Sequence, residues 1–225
     1  TAELGANDWA MAVGSVPVAA FTVSKLRWLA RHEPESLART AAVCLPHDWL
    51  TWKLRGMGLE SLTTDRGDAS GTGYWSAATD EYRLDLVELA TGRSDLMLPT
   101  VLPADSLAGK TIDTGAVPAG LAVSAGTGDN MAAALGLRAS VGDVVMSVGT
   151  SGVVSVVSAT PTADASGQVA GFADATGEFL PLVCTLNAGQ VLDTVRTLLG
   201  VDFETFDELA ATPMPADDSL TLLPF

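Results

Sequence analysis

The amino-acid sequence predicts a mixed α/β fold, on three observations. Apolar residues recur at helical spacing between residues 21 and 31. Residues 143–148 and 153–158 are valine-rich runs of the length of strands, and a glycine-containing segment separates them. Hydrophobic residues make up 48% of the 225 residues, which is enough to bury a sizeable core and argues against a disordered chain.

The first half of the chain is predicted to be mainly helical. A helix over residues 21–31 should end before Pro34, because the residue before a proline avoids the helical region. Residues 61–76 are polar, glycine-rich and aperiodic, which predicts a long loop. The other elements expected here are a short helix over 36–40, a buried strand over 42–45, and helices over 48–54 and 85–91.

The second half carries strands as well as helices. Residues 121–124 are predicted to form a short strand that runs into the glycine-rich segment 125–130 and then into a helix over 131–137. A hairpin follows, with its turn at residues 149–152. The remaining elements expected are a strand over 179–185, a helix over 188–199 with Asn187 as its cap and Gly200 after its end, and a helix over 203–211.

A domain boundary is predicted near residues 139–142, where a helix of small residues gives way to the β-rich runs. The predicted domains are residues 1–139 and residues 140–225. The chain starts without an initiator methionine and stops after the apolar run 222–225. We therefore expect it to be part of a longer protein.

Charge and composition restrict the partners. Acidic residues outnumber basic residues 27 to 12, which gives a formal net charge of −15. Such a surface repels phosphate backbones and anionic lipids, so we expect neither nucleic acid nor a membrane as a partner. No apolar run reaches the ~18 residues of a membrane span. The sequence leaves open whether the chain forms a homodimer.

The cysteines and histidines do not suggest a metal site. Cys44 and Cys184 each lie in an apolar run and form no CxxC pair, so both are predicted to be buried thiols in a reducing cytoplasm. His32 and His47 have no Cys or Glu at ligand spacing, so no zinc site is predicted.

The segment GTGDN at residues 126–130 carries the most chemical information. Glycine after a buried strand lets a ligand approach the backbone, and α/β proteins bind ligands at this end of a strand. An ionised Asp129 could accept a proton from a hydroxyl group as a general base. A helix cap explains the same aspartate, and local sequence leaves both interpretations open. The segment is not a P-loop, because Lys-Ser/Thr is absent.

Three further segments each have two interpretations. The turn GTSG at residues 149–152 suits a phosphate, although a plain tight turn has the same composition. Gly189 could lie under a nucleotide phosphate at a helix start, and helix–sheet packing explains that glycine equally well. Residues 64–72 combine two acids, an arginine and three hydroxyls, which suit either a sugar site or a solvated loop.

Five segments occur in one order and together carry a family resemblance. They are FTVSKLRWLARHEPE from residue 21, LPHDWLTWKLRG from residue 45, DASGTGYW from residue 68, GTGDNMAAALG from residue 126 and VGTSGVVSVVS from residue 148. From residue 21 onward the chain resembles the FGGY carbohydrate kinase family, and within it the kinases of xylulose. The resemblance is weak over residues 1–20 and 93–118.

The resemblance implies a fold and a reaction. The family fold consists of two RNase H-like domains of the actin, Hsp70 and sugar-kinase type, of which this chain would hold the later part of the first and the beginning of the second. The implied reaction transfers the γ-phosphate of ATP, with Mg²⁺, to a pentulose, here D-xylulose at O5.

The resemblance also implies roles for individual residues. Asp129 matches the family's catalytic base, and Asn130 lies beside it in the sugar-binding segment. No metal ligand is assigned within the chain. The residues that match the ATP phosphate site are Gly149, Thr150, Ser151, Gly152, Gly189 and Asp193.

The chain also departs from the family pattern. His47 stands where members often have a lysine. The family's N-terminal Asp-Gly-Thr loop, its glutamine–histidine sugar contacts and its C-terminal adenine-binding stretch do not occur in these 225 residues. We therefore expect residues 1–225 alone not to turn over ATP and xylulose.

Two alternative functions stay open. Another FGGY kinase, acting on ribulose, gluconate or glycerol, would share the same segments. A non-catalytic, actin-like ATP-binding scaffold or sugar sensor would bind without reacting, and it would not need a base at position 129.

Overall fold

The computed structural model describes residues 3–212, so the apolar run at 222–225 lies outside the described residues. Along this part of the chain, four helices come first, short strands and helices follow in mixed order, and two helices come last. The helices are α1 (Ala6–Val13), α2 (Thr22–His32), α3 (Pro34–Ala38), α4 (Pro46–Leu54), α5 (Arg66–Ser70), α6 (Leu84–Thr91), α7 (Asp129–Gly136), α8 (Gly189–Leu199) and α9 (Phe203–Ala211), with a 3-10 turn at Leu59–Ser61.

Within residues 3–212, the strands belong to one four-stranded sheet and three two-stranded sheets. They are β1 (Thr63–Asp65), β2 (Trp75–Ser76), β3 (Glu81–Tyr82), β4 (Thr100–Leu102), β5 (Leu107–Lys110), β6 (Ala122–Ser124), β7 (Val144–Val148), β8 (Gly152–Val156), β9 (Ala170–Ala173) and β10 (Phe179–Thr185). The small sheets pair β1 with β4 in parallel, and β2 with β3 and β5 with β6 antiparallel. The larger sheet has the order β7-β8-β10-β9.

The described chain divides into two compact units. One unit comprises residues 3–144 and 155–182, and it contains α1 to α7 together with β1 to β6 and β9. The other comprises residues 145–154 and 183–212, and it contains α8, α9 and the turn between β7 and β8. The predicted domains 1–139 and 140–225 stay a prediction.

The main core of the larger unit lies where α2 and α6 pack together. Residues of one helix face recur every three or four positions, so each of these helices has an apolar face. The two faces contact aromatic side chains from α1 and from the segment before β2. The buried side chains of this core are Trp9, Ala12, Val13, Val23, Leu26, Leu37, Tyr74, Leu86, Val87, Ala90 and Leu96.

Two glycines let distant backbone segments of this unit touch. The N–H of Gly171 in β9 donates to the carbonyl oxygen of Gly14, just after α1, at 2.9 Å. A Cβ on Gly171 would lie 2.5 Å from the oxygen of Thr162 and 2.6 Å from that of Gly14. No side chain fits at that distance, so glycine is required where the two segments meet.

Residues 61–76 are not the long loop that the sequence predicts. They form β1, α5 and β2, and much of the segment is buried, including Asp65 and Ser70. Asp65 caps α5 by accepting from the N–H of Asp68 at 2.9 Å. The Ser70 hydroxyl accepts from the N–H of Ala173 at 3.0 Å. These contacts give the polar side chains protein partners in place of water.

The smaller unit is built around α8 and α9. Asp202 caps α9 by accepting from the N–H of Thr205 at 2.9 Å. The guanidinium of Arg196 lies 4.3 Å from the centre of the Phe203 ring, a cation–π contact between the two helices. The helices predicted over 188–199 and 203–211 are confirmed to within one residue.

Several sequence predictions are corrected. The strand expected over 42–45 is reduced to a single bridge between Ala42 and Met97, because α4 already begins at Pro46. Asn187 is not the cap of α8; the cap position is Ala188, without a side-chain hydrogen bond. Cys184 is exposed rather than buried, since β10 leaves the core over its last three residues. Helix α1 and strands β3, β4, β5 and β9 have no counterpart among the predicted elements.

Candidate functional site

The segment around Asp129 turns sharply from strand β6 into helix α7. Gly126 has a φ of 87°, a left-handed conformation that favours glycine. Gly128 is the N-cap of α7, with extended backbone and no side-chain cap. Asp129 is therefore the first residue of the helix, at the junction that the sequence predicts, and the cap position belongs to Gly128.

The carboxylate of Asp129 is held from one side only. Asn130 donates to its Oδ1 twice, from the backbone N–H at 2.8 Å and from Nδ2 at 3.1 Å. Asp129 is exposed, and no Lys, Arg or His among residues 3–212 pairs with it. An ionised, oriented and accessible carboxylate of this kind can accept a proton from a hydroxyl group.

The hairpin turn lies against the start of α8. The N–H of Gly189 donates to the oxygen of Gly149 at 2.8 Å, and the N–H of Ala188 donates to the oxygen of Thr150 at 3.3 Å. These bonds occupy donors at the helix start and replace the side-chain cap that α8 lacks. Gly152 is buried, whereas Thr150 and Ser151 are exposed at the tip. The structure thus brings the turn and Gly189 together.

Asp193 lies one turn further along α8. Its Oδ1 accepts from Nε and Nη2 of Arg196 at 3.0 and 2.8 Å. Its charge is therefore partly offset by a cation on the same helix.

A second cluster of charged side chains lies in the larger unit, and the sequence analysis missed it. His47, near the start of α4, places Nε2 2.9 Å from Oδ1 of Asp48, 3.4 Å from Oδ2 of Asp65 and 3.5 Å from Oδ2 of Asp68. No oxygen among the described residues is aligned for a hydrogen bond to Nε2, so these contacts are ion pairs. Asp48 and Asp65 are 1% and 3% exposed. We call these four residues the His47 cluster.

The cluster shifts the ionisation of its members. Contacts with Asp48 and then Asp65 raise the pKa of His47 to about 10, so the ring is an imidazolium at neutral pH. Burial, followed by the charge of Asp65, raises the pKa of Asp68 to about 6. Burial also acts to raise the pKa of Asp65, but the contacts with His47 and Asp68 outweigh it and lower that pKa.

The cluster has the spacing of a metal site as well as that of an ion-pair network. Ligand atoms of His47, Asp65 and Asp68 lie within 4.8 Å of one another. The imidazolium already supplies a positive charge at that place. Sequence reasoning looked for Cys and Glu near the histidines, whereas the partners are aspartates of another element. Family members often have a lysine at position 47, and this was the one sequence feature that could have indicated a cation there with acidic partners.

A strand–glycine–aspartate–helix junction and a glycine hairpin, on a mixed α/β fold, agree with the resemblance of the sequence to carbohydrate kinases. Residues 3–136 match the N-terminal domain of the FGGY family of carbohydrate kinases. The chain belongs to this family.

Two curated relatives and one solved structure illustrate the similarity. The xylulose kinase of Streptomyces rubiginosus is 48% identical over 223 residues, which cover 98% of this chain and 44% of that protein. The xylulose kinase of Haemophilus influenzae is 30% identical over 220 residues, covering 95% and 44%. The crystal structure of xylulose kinase from Bifidobacterium adolescentis matches with a TM-score of 0.81 and 43% identity, covering 90% of this chain and 45% of that one.

These matches confirm the predicted family and fold class. The chain spans less than half the length of these relatives. Within residues 3–212, every helix is too short or too polar to cross a bilayer.

Proposed function

We propose that the protein containing this chain transfers the γ-phosphate of ATP to O5 of D-xylulose, with Asp129 as the general base. The observation that carries the proposal is the carboxylate of Asp129, exposed at the first residue of α7 and oriented by Asn130. Family membership supports an ATP-dependent carbohydrate kinase, and the relatives named as xylulose kinases support the sugar.

The proposed reaction is a direct displacement at phosphorus. O5 of the sugar attacks the γ-phosphorus, the bond from that phosphorus to the bridging oxygen of ADP breaks, and the O5 proton passes to Asp129. Asn130 keeps one carboxylate oxygen fixed, so the other is free to face the hydroxyl. Catalysis of this kind depends mainly on positioning and on stabilising charge.

MgATP is the proposed donor, and Mg²⁺ would offset the charge on the β- and γ-phosphates. The residues proposed to face the phosphates are Gly149, Thr150, Ser151, Gly152, Gly189 and Asp193. The exposed tip of small residues fits a phosphate. The N–H of Gly189 already donates to Gly149, so Gly189 would contribute close approach rather than a hydrogen bond. We assign no Mg²⁺ ligand within the chain.

A location in the cytoplasm belongs to the same proposal, because ATP is the phosphoryl donor. The proposed partners are therefore the sugar and ATP. Sedimentation of the protein that contains this chain would measure whether it forms a homodimer.

A panel of sugars tests the proposed function. The purified full-length protein is given MgATP with D-xylulose, ribulose, gluconate or glycerol, and ADP release is followed. We expect the largest kcat/KM with D-xylulose. Preference for another sugar would indicate a different kinase of the same family. ATP binding without ADP release on any sugar would favour a scaffold or sensor.

A further inference from the structure

The starting point is the balance of charge in the His47 cluster. Three carboxylates converge on one imidazolium, and among residues 3–212 their only ion pairs are with His47. Two of these carboxylates are almost fully buried. Like charges at this separation repel strongly in a medium of low dielectric constant. Without the cation, the carboxylates would move apart or take up protons.

The carboxylate of Asp68 lies beside the N-cap of α7. A Cβ on Gly128 would lie 3.1 Å from Oδ1 of Asp68 and 3.1 Å from Sδ of Met131. A Cβ on Gly67 would lie 3.0 Å from Cγ of Met131, which is buried. The starts of α5 and α7 therefore lie close together at two glycines, and the carboxylate of Asp68 lies beside the residue before Asp129.

The cluster also fixes the two elements on its own side. Asp48 accepts from the N–H of Leu45 at 2.8 Å, and this bond holds its carboxylate beside His47 at the start of α4. Asp65 caps α5 at 2.9 Å. His47 thus joins two capped helix starts, and one of them supports the start of α7.

We infer that His47 is a positioning residue for Asp129. Its positive charge keeps the carboxylate of Asp68 in place against Gly128, and this fixes the first turn of α7, which carries Asp129 and Asn130. The role is one of charge and position, since His47 itself has no contact with Asp129. The inference rests on the proposed function for its kinetic consequence, but not for its structural consequence.

Kinetics of three variants of the full-length enzyme test the inference. We expect His47→Gln to lower kcat for D-xylulose by about 10- to 100-fold, because a misplacement of ~1 Å can cost about 100-fold. KM for ATP should change less than kcat. His47→Lys restores a cation and should recover most of the rate. His32→Gln is the matched control, since His32 stacks on Trp28 at an exposed position.

Hydrogen exchange supplies a readout that does not need activity. We expect the amides of residues 132–136, whose N–H groups donate within α7, to exchange faster in His47→Gln than in the unchanged protein, and to return to slow exchange in His47→Lys. If the unchanged protein forms no ADP with any sugar but this pattern appears, the proposed function fails and the positioning role stands.

Three results would overturn the inference. One is an unchanged kcat and unchanged exchange in His47→Gln. Another is failure of His47→Lys to restore either property, which would show that charge is not what matters. The third is a stoichiometric transition metal in the purified protein, found by elemental analysis and lost in His47→Gln, which would make the cluster a metal site.

Discussion

The backbone N–H of Gly189 donates to the carbonyl oxygen of Gly149 at 2.8 Å, and this bond joins the first residue of α8 to the hairpin turn. A Cβ on Gly189 would lie 2.6 Å from the same oxygen. Glycine is therefore required for the contact, whatever ligand the turn binds. This packing is sufficient to explain the glycine at position 189, and packing is one of the two interpretations that the sequence allows.

Replacing Gly189 with alanine should displace the turn from α8. Relief of the overlap breaks the hydrogen bond and costs about 1–3 kcal/mol of unfolding free energy, as overpacking does. Calorimetry of the full-length protein measures the loss. Gly149→Ala is the control, because its Cβ would meet only the oxygen of Ser151, at an ordinary 3.6 Å. Equal melting temperatures for the two variants would contradict the contact.

A larger side chain at Gly149 tests the proposed phosphate position. A Cβ on Gly149 would have only the oxygen of Ser151 near it, at 3.6 Å, so Gly149→Val should lower the melting temperature only slightly. If a phosphate lies over the turn, the valine obstructs it, and the Kd for ATP should rise by about tenfold, equivalent to ~1.4 kcal/mol. The KM for the sugar should stay constant. If titration calorimetry shows unaltered ATP affinity, residues 149–152 are a plain tight turn and not a phosphate site.

Removing the carboxylate charge of Asp129 tests the general base. Asp129→Asn keeps the shape of the side chain but removes its capacity to accept a proton. Loss of a general base costs about 10²–10⁴ in rate, so kcat should fall by that factor while ATP and sugar still bind. Asp207→Asn, on the exposed face of α9, removes the same charge elsewhere. Near-normal turnover by Asp129→Asn would exclude the assignment.

Sequence patterns predicted the elements whose structure depends on nearby residues. Helix α2 and strands β7 and β8 were found because their periodicity or valine content is visible in a short window. Residues 61–76 were misjudged because their order comes from distant partners. Strand β1 pairs with β4 in the register Thr63 to Thr100, and Ser70 bonds to Ala173.

The residues of the candidate site also differ in whether neighbours in the sequence reveal them. Asp129 could be singled out from the sequence because glycine, acid and helix start follow one another in the chain. The His47 cluster could not, because its carboxylates come from α4, from β1 and from α5. Only the three-dimensional fold brings them to one imidazole.

The close approach of Gly171 to Gly14 predicts a strong local effect on stability. In Gly171→Ala the new Cβ would overlap two backbone oxygens that cannot rotate away. We expect a loss of about 1–3 kcal/mol in unfolding free energy. Gly136→Ala is the matched control, since nothing lies within 4 Å of its Cβ position at the end of α7. That change should stabilise by about 0.4–1 kcal/mol. Denaturant unfolding that ranks the two variants in the opposite order would contradict the packing.

The His47 cluster predicts that stability declines as pH rises above 3.8, whereas the lowered pKa of Asp65 acts in the opposite sense at more acidic pH. The pKa of His47 is about 10 in the folded protein and 6.5 ordinarily, so its contribution is complete below pH 6.5 and lost as pH rises through 10. The pKa of Asp68 is about 6 against an ordinary 3.8, so the folded state holds that proton more tightly and loses stability as pH rises through 6. Both groups therefore lower the unfolding free energy at higher pH, in adjacent windows.

His47→Gln isolates the alkaline window. The charges that face His47 are Asp48 on α4, Asp65 at the end of β1 and Asp68 on α5. Between pH 6.5 and 10 the melting temperature of the unchanged protein should fall more steeply than that of the variant. In that range unfolding of the unchanged protein releases the proton of His47, and the variant has no such proton to release. Titration of the Cys44 thiol, whose pKa burial raises, occurs in both proteins and cancels in the difference. The side chain of His47 is 41% exposed, so solvent screens the effect and the difference should be moderate. Parallel curves for the two proteins across this range would show that the imidazole gains no proton affinity from its three carboxylates.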